Sequence, residues 1–371
     1  SESDLIEALA EDPNTAVIVA YIEAIRDGRR FIDVASQVTR AKPILVIKAG
    51  RTQAGSRAVS SHTGSLAGEM AAYDAAFAQS GVQRVDTVEE LFNNALALAY
   101  GPPPTGRRVA VVTNAGGPAS LAADAIEQAG LAMPPTSSAS QAQLARFTHP
   151  EAQLVNPVDM LGGAEPPHYE QAMQVLLADP TYDAVLPILV PQALVDPVAV
   201  AEAICRATKT GNHGGKPVVA CFMGDDAVRR PMAVLHEGRI AAYQFPEQAA
   251  RALGALWRYA NRPDRALAGL PREESSLASR AARRAVSQRL AQAAGLGRIQ
   301  LGEAEARPIL AAYGIAQPQA ELARTAGEAG QLAAAIGFPV ALKIVSADIF
   351  HKSEVGCIVL NLADEAAVRA A

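Results

Sequence analysis

The sequence predicts an α/β protein with two doubly wound, parallel-sheet domains and a shorter α/β piece behind them. Three observations lead there. Short apolar runs alternate with helical stretches through the first two thirds of the chain, the pattern of strands joined by crossover helices. The Gly101-Pro102-Pro103-Pro104-Thr105-Gly106 run breaks that alternation once, as a domain linker would. The stretch after Leu301 repeats the alternation but stops too soon for a complete nucleotide-binding domain.

The elements follow in order. Strands are expected at Ala16 to Tyr21, Ile44 to Lys48 and Val82 to Val85, with helices at Arg29 to Arg40, Leu66 to Ser80 and Val88 to Tyr100. The second domain opens with the strand ending at Thr113, a glycine turn and a helix to Ala129. Further strands are read at Ala184 to Leu189 and Pro217 to Phe222, and helices at Tyr169 to Ala178, Pro197 to Thr208 and Pro246 to Ala260. The Ala- and Arg-rich stretch that follows has little core pattern and reads as a linker. A helix up to Gly314 and strands at Val340 to Val345 and Cys357 to Leu362 make the last piece. The expected domains are therefore 1–104, 105–262 and 299–371, with a linker at 263–298.

Composition narrows the function classes. Half of the 371 residues are hydrophobic and the net charge is −5, which argues against nucleic acid or an anionic membrane as main partner. Any polyanion must be held by local groups. The longest apolar run, Ala184 to Val195, is broken by Pro187 and Pro191 and falls short of the ~20 residues that span a bilayer. Cys205, Cys221 and Cys357 have neither metal-ligand spacing nor a disulfide framework, which points to a reducing, cytoplasmic setting. The chain lacks an initiator methionine and stops at Ala371 inside an expected helix, so it reads as a piece of a longer polypeptide.

The chemistry concentrates in a few turns. Ser60-Ser61-His62-Thr63-Gly64-Ser65 sets one histidine among small polar residues before a helix, whose first N–H groups suit a phosphoryl group. A histidine there can carry that group as a nucleophile, or it can simply be a hydrogen-bonded surface residue. Gly50 and Gly55 precede it at the carboxyl end of an expected parallel strand, where open α/β sheets place ligands. Glu23 stands at another strand end, either as a solvated carboxylate or as a partner fixing the His62 tautomer. Asn114, Gly116 and Gly117 lie between a strand and a helix, the layout either of a phosphate cradle, though without a P-loop lysine, or of a tight turn between packed elements. Asn156-Pro157-Val158-Asp159 with Gly162-Gly163 is a turn-rich loop that either lines a site or simply connects two elements. Lys343 interrupts an apolar strand, which suits either snorkelling or pairing with an anion such as phosphate. His351 follows in a second polar turn.

Taken in order, these segments resemble the NDP-forming acyl-CoA synthetases, the superfamily of succinyl-CoA synthetases and ADP-forming acetyl-CoA synthetases. Lys48-Ala49-Gly50-Arg51-Thr52 through His62 to Gly68 is similar to the family's phosphohistidine segment, and Val112 to Pro118 to its phosphate-binding helix start. Asn156 to Asp159 resembles a further family loop, and Lys343 to Leu362 the first part of an ATP-grasp domain.

The resemblance implies two flavodoxin-like, succinyl-CoA synthetase-type domains plus a partial ATP-grasp lobe. It implies a ligase that interconverts acyl-CoA, ADP and phosphate with acid, CoA and ATP through a phosphohistidine at His62. Glu23 would stabilise it, His351 would act as a second, relay histidine, and Asn114, Gly116 and Gly117 would bind phosphate. Lys343 would contact the nucleotide. ATP or ADP, Mg²⁺ and coenzyme A are the implied cofactors, and a small carboxylic acid or acyl-CoA the substrate. The CoA-binding domain and most of the ATP-grasp domain are absent, so the missing parts are expected from the longer chain, a homo-oligomer or a partner chain. Gly356-Cys357 departs from the Gly-Gly of many relatives. A second reading is an acyl-CoA-sensing regulatory module of a protein lysine acetyltransferase. That module would not need the phosphorylatable histidine.

Overall fold

The computed structural model describes residues 1–52, 54–55, 57, 70–210, 214–262, 280–298, 301–346 and 356–371. They divide into two compact units, Ser1–Ala266 and Leu267–Ala371.

In the first unit, α1 (Glu2–Glu11), β1 (Ile18–Ile22), α2 (Gly28–Val38), β2 (Ile44–Lys48), α3 (Met70–Ser80), β3 (Gln83–Val85) and α4 (Val88–Tyr100) come first. The three strands form a parallel sheet in the order β1-β2-β3. Alternation along β2 explains its layering: Ile44 and Val46 pack with Phe31, Val34 and Phe77 on one face, and Leu45 packs with α4 on the other. Local chemistry sets the helix starts. Asp27 accepts from the Arg30 amide at 3.0 Å to cap α2, and Thr87 accepts from the Glu90 amide at 3.1 Å to cap α4.

The second half of this unit runs β4 (Val109–Thr113), α5 (Gly116–Gln128), α6 (Ser138–Leu144), β5 (Val158–Asp159), α7 (Pro166–Ala178), β6 (Ala184–Leu189), α8 (Pro197–Thr210), β7 (Val219–Phe222), α9 (Asp226–Glu237), β8 (Ala241–Tyr243) and α10 (Pro246–Ala260). Its five strands are parallel in the order β5-β4-β6-β7-β8. Every residue of β4 and β6 is buried, as a sheet covered on both faces requires. α7, α8 and α9 cover one face, while α5, α10 and α4 cover the other. The layer of α4 and α10 also packs on Leu45 and Val85, so the two sheets share one apolar core. This is the expected doubly wound fold. The strand order reverses beside β4, which puts the topological switch point between the carboxyl ends of β4 and β6.

The second unit holds α11 (Arg280–Gly295), α12 (Glu303–Ala312), α13 (Ala326–Ile336), β9 (Val340–Lys343), β10 (Ile358–Leu362) and α14 (Glu365–Ala370). β9 and β10 pair antiparallel over a small core of Ala333, Leu362 and Val368. α11 is a helix inside the stretch expected to be a linker. Its buried Val286 and Ala293 lie seven positions apart among Arg and Gln, a stripe too thin to stand out in sequence. Val158–Asp159, expected within a loop, is a short strand instead. The Asn156 side chain prepares it, accepting from Val111 N at 2.9 Å and donating to Val109 O at 2.8 Å along the edge of β4. No helix among the described residues is long and apolar enough to cross a membrane.

The amino-terminal side of the five-stranded sheet carries polar groups that hold the fold. Arg108 grips Asp183 through two hydrogen bonds of 2.8 Å, and Lys216 donates to the carbonyls of Leu177 and Asp179. Burial pushes the Asp179 carboxyl up, but hydrogen bonds from Ser140, Thr181 and Ser137 outweigh burial and bring it down to about 2. A depressed carboxyl stabilises the fold above its unfolded value of 3.8 and loses that contribution as pH falls through about 2. The advantage of wild type over Asp179→Asn, read as the urea midpoint, is therefore expected to be full at pH 5 and to shrink between about pH 4 and pH 2.

Candidate functional site

Two polar constellations sit at carboxyl ends of parallel strands in the first unit. The first lies where β1 and β2 end side by side, with Ile22 paired to Lys48. Glu23 follows β1 directly and is half-buried. Lys48 closes β2 and is only 1% exposed, on the same strand face as Ile44 and Val46. Its ammonium donates to the Ala49 carbonyl and lies 4.6 Å from the centre of the Tyr73 ring. Burial pushes the Lys48 ammonium below the usual lysine range, and the charge of Glu23 works against that shift. Tyr73, on α3, accepts from the Ile25 amide through its hydroxyl at 3.4 Å. Gly50 turns the chain at φ 76°, a left-handed conformation that favours glycine. His62 belongs to the segment that departs here between Ala49 and α3, and it lies outside the described residues.

The second constellation occupies the switch point. Asn114, buried, donates from Nδ2 to Val190 O at 2.8 Å and accepts at Oδ1 from Val190 N at 2.9 Å. It thereby joins the chain leaving β4 to the chain leaving β6. Those two bonds leave its amide one N–H and one lone pair. The Tyr169 hydroxyl donates to Ile188 O at 2.9 Å. Burial, assisted by the charge of Asp159, pushes the Tyr169 phenol well above its ordinary value, against the opposing effect of the Asn114 main chain.

α5 starts immediately beyond. Gly116 and Gly117 are exposed and occupy its first turn, where amides have no intrahelical acceptor. Ala115, at the N-cap, supplies no side-chain cap. A Cβ at Gly116 would stand 3.2 Å from the Asp159 carboxylate, whereas one at Gly117 would meet nothing within 4 Å. Packing therefore does not require Gly117. Glycine in a helix costs roughly 0.5–1 kcal/mol relative to alanine, so its presence here keeps space open over the helix start.

In the second unit, Lys343 ends β9 with its side chain exposed and its ammonium 3.3 Å from Glu303. An exposed pair of this kind is weak. His351 lies outside the described residues. Among the described residues no group of three or more His, Cys, Asp or Glu could hold a metal ion, and no magnesium-dependent step is assigned to them.

Glu23, Asn114, Gly116 and Gly117 thus stand at strand ends, as expected. Lys48 and Asp159 entered the sequence reading only as members of motifs, and Tyr73 and Tyr169 were not singled out as site residues. Only Lys48 left a signal there, as a lysine closing the apolar run Ile44 to Ile47 just ahead of a glycine.

Comparisons with known proteins agree with this arrangement. Residues 1–98 match the succinyl-CoA ligase like flavodoxin domain, residues 109–267 the Ligase-CoA domain and residues 292–371 the ATP-grasp domain. An ADP-forming acetate–CoA ligase I of Archaeoglobus fulgidus is 39% identical over 98% of this chain and 50% of its own length. The ADP-forming 4-hydroxybutyrate–CoA ligase of Nitrosopumilus maritimus is 33% identical over 100% of this chain and 52% of its own length. A solved structure of the dinucleotide forming acetyl-coenzyme A synthetase 1 of Ca. Korarchaeum cryptofilum, in complex with phosphate and ADP, superposes with a TM-score of 0.66. It is 39% identical and covers 70% of this chain and 56% of that one. The chain spans about half the length of these curated relatives.

Asn114→Ala removes two cross-strand hydrogen bonds and strands the polar groups of Val190. It is expected to lower unfolding free energy by about 2–4 kcal/mol, measured by urea denaturation of the wild type and variant.

Proposed function

We propose, from the premise that this chain belongs to the NDP-forming acyl-CoA synthetase superfamily, that it works in an ADP-forming acid–CoA ligase as the part that receives and carries the phosphoryl group. The observation that supports this most is the pairing of two strand-end sites in one packed unit. One is an open helix start at the switch point; the other sets Glu23 and the buried Lys48 at neighbouring strand ends beside the segment that carries His62.

In the direction of ATP synthesis, phosphate displaces CoA from acyl-CoA and forms an acyl phosphate. A nitrogen of His62 attacks phosphorus, the P–O bond to the acyl group breaks, and the carboxylic acid leaves. The phosphoryl group then passes to ADP and regenerates the imidazole. Such transfers need positioning and charge stabilisation above all. Gly116 and Gly117 suit the phosphate oxygens, because the first N–H groups of α5 and its dipole favour an anion. Asn114 serves by fixing the two strand ends around that space. Glu23 accepts from the second ring nitrogen of His62, which holds the tautomer that attacks and steadies the cation that forms. Lys343 faces the nucleotide, which supplies or accepts the terminal phosphoryl group, and His351 acts as a relay histidine. CoA and a small carboxylic acid complete the reaction, and Mg²⁺ accompanies the nucleotide.

Incubating the full-length protein with γ-labelled ATP and Mg²⁺ tests the reading. Acid-labile, base-stable label is expected on the wild type and none on His62→Ala; equal labelling of both rules out His62 as carrier. Gly117→Ala is a second check. Its thermal midpoint should match or exceed wild type, while the phosphate concentration for half-maximal rate should rise about tenfold, the equivalent of ~1.4 kcal/mol.

A further inference from the structure

We infer that Lys48 is a positioning residue of the phosphoryl-transfer site: its buried ammonium ties the Glu23 loop to both ends of the segment that carries His62. The inference rests on the reading above for its catalytic meaning, but the tie itself is a matter of geometry.

An ammonium that is 1% exposed is costly unless its charge is answered. Ile44 and Val46 precede it on the same strand face, among Phe31 and Phe77, and an apolar residue would continue that face at lower cost. The surroundings of Lys48 show what the charge does. Its Nζ holds the carbonyl of Ala49, where the His62 segment leaves β2. It also lies over the ring of Tyr73, where the same segment has re-entered α3. The Tyr73 hydroxyl takes the amide of Ile25, and the Ala49 amide donates to Ile22 O at 3.0 Å, so both ends are fastened on either side of Glu23. Glu23 supplies the opposing charge. One cation thus sits where the end of β2 meets α3, and Tyr73 carries the tie on to the chain after β1. A neutral side chain of equal bulk could fill the volume without holding the carbonyl or the ring face.

The test uses the full-length protein with Lys48→Met, Lys48→Arg and Tyr73→Phe. Amide exchange of the peptide covering residues 22–27 reads the tie directly, and labelling of His62 from γ-labelled ATP reads its consequence. In Lys48→Met the peptide is expected to exchange about tenfold faster while β4 and β6 remain protected as in wild type. The labelling rate at saturating ATP should fall about 100-fold, the size of loss that a misplacement of about 1 Å produces. The ATP concentration giving half the maximal rate should stay the same. Lys48→Arg, which keeps the cation, should recover a large part of the rate. Should Lys48→Met fail to fold, Tyr73→Phe keeps the ring and deletes only the hold on Ile25, and is expected to shift both readouts in the same direction. Unchanged exchange at 22–27 in both folded variants overturns the tie. Wild-type protein that takes no label, with exchange altered as expected, overturns the ligase reading and leaves the tie standing.

Discussion

A parallel sheet buried on both faces admits polar groups only where its strands end, and the layout of this protein follows from that constraint. Within β4 and β6 there is no room for a charge or an unpaired amide. The polar residues therefore collect at the two rims of the sheets, and the two rims differ in kind. At the amino-terminal rim, Arg108, Asp183, Asp179 and Lys216 satisfy one another and neighbouring backbone, which serves the fold. At the carboxyl rim, Glu23, Lys48, Asn114 and the uncapped first turn of α5 gather charge, a buried amide and helix N–H groups at the strand ends.

The same constraint explains why buried polar residues close the central strands. Lys48 ends β2 and lies over Tyr73 of α3, and Asn114 follows β4 and reaches across to the chain leaving β6. Each holds a strand end in register at the point where a loop must depart with a defined aim. The shared core beneath them, with α4 and α10 packed against both sheets, makes the two strand-end sites parts of one body. A phosphoryl group handed between a helix start and a histidine needs such a base, because small errors in position are expensive in rate.

Much of this was legible in the sequence, for reasons that can be stated residue by residue. The strands Ile44–Lys48, Val109–Thr113 and Ala184–Leu189 are apolar apart from the closing Lys48 and Thr113, and the structure starts and ends two of them where the pattern does. β5 and β8 are two and three residues long, too short to form a pattern, and β5 depends on the Asn156 side chain. The helix Arg280–Gly295 escaped because its apolar side is little more than Val286 and Ala293. Glu23, Asn114, Gly116 and Gly117 could be picked out because each directly follows a strand. The bonds of Asn114 to Val190 and the contact of Lys48 with Tyr73 join residues far apart in the chain, and no local spacing announces them. His62 and His351 rest on motif alone, since both lie outside the described residues.

The central claim is that the phosphoryl group pauses on the protein between acid and nucleotide. Exchange of labelled ADP into ATP by the full-length protein, with acid and CoA both withheld, tests it most directly. A covalent carrier predicts rapid exchange under those conditions. Exchange that appears only when acid and CoA are both added would contradict it and require direct transfer among bound substrates.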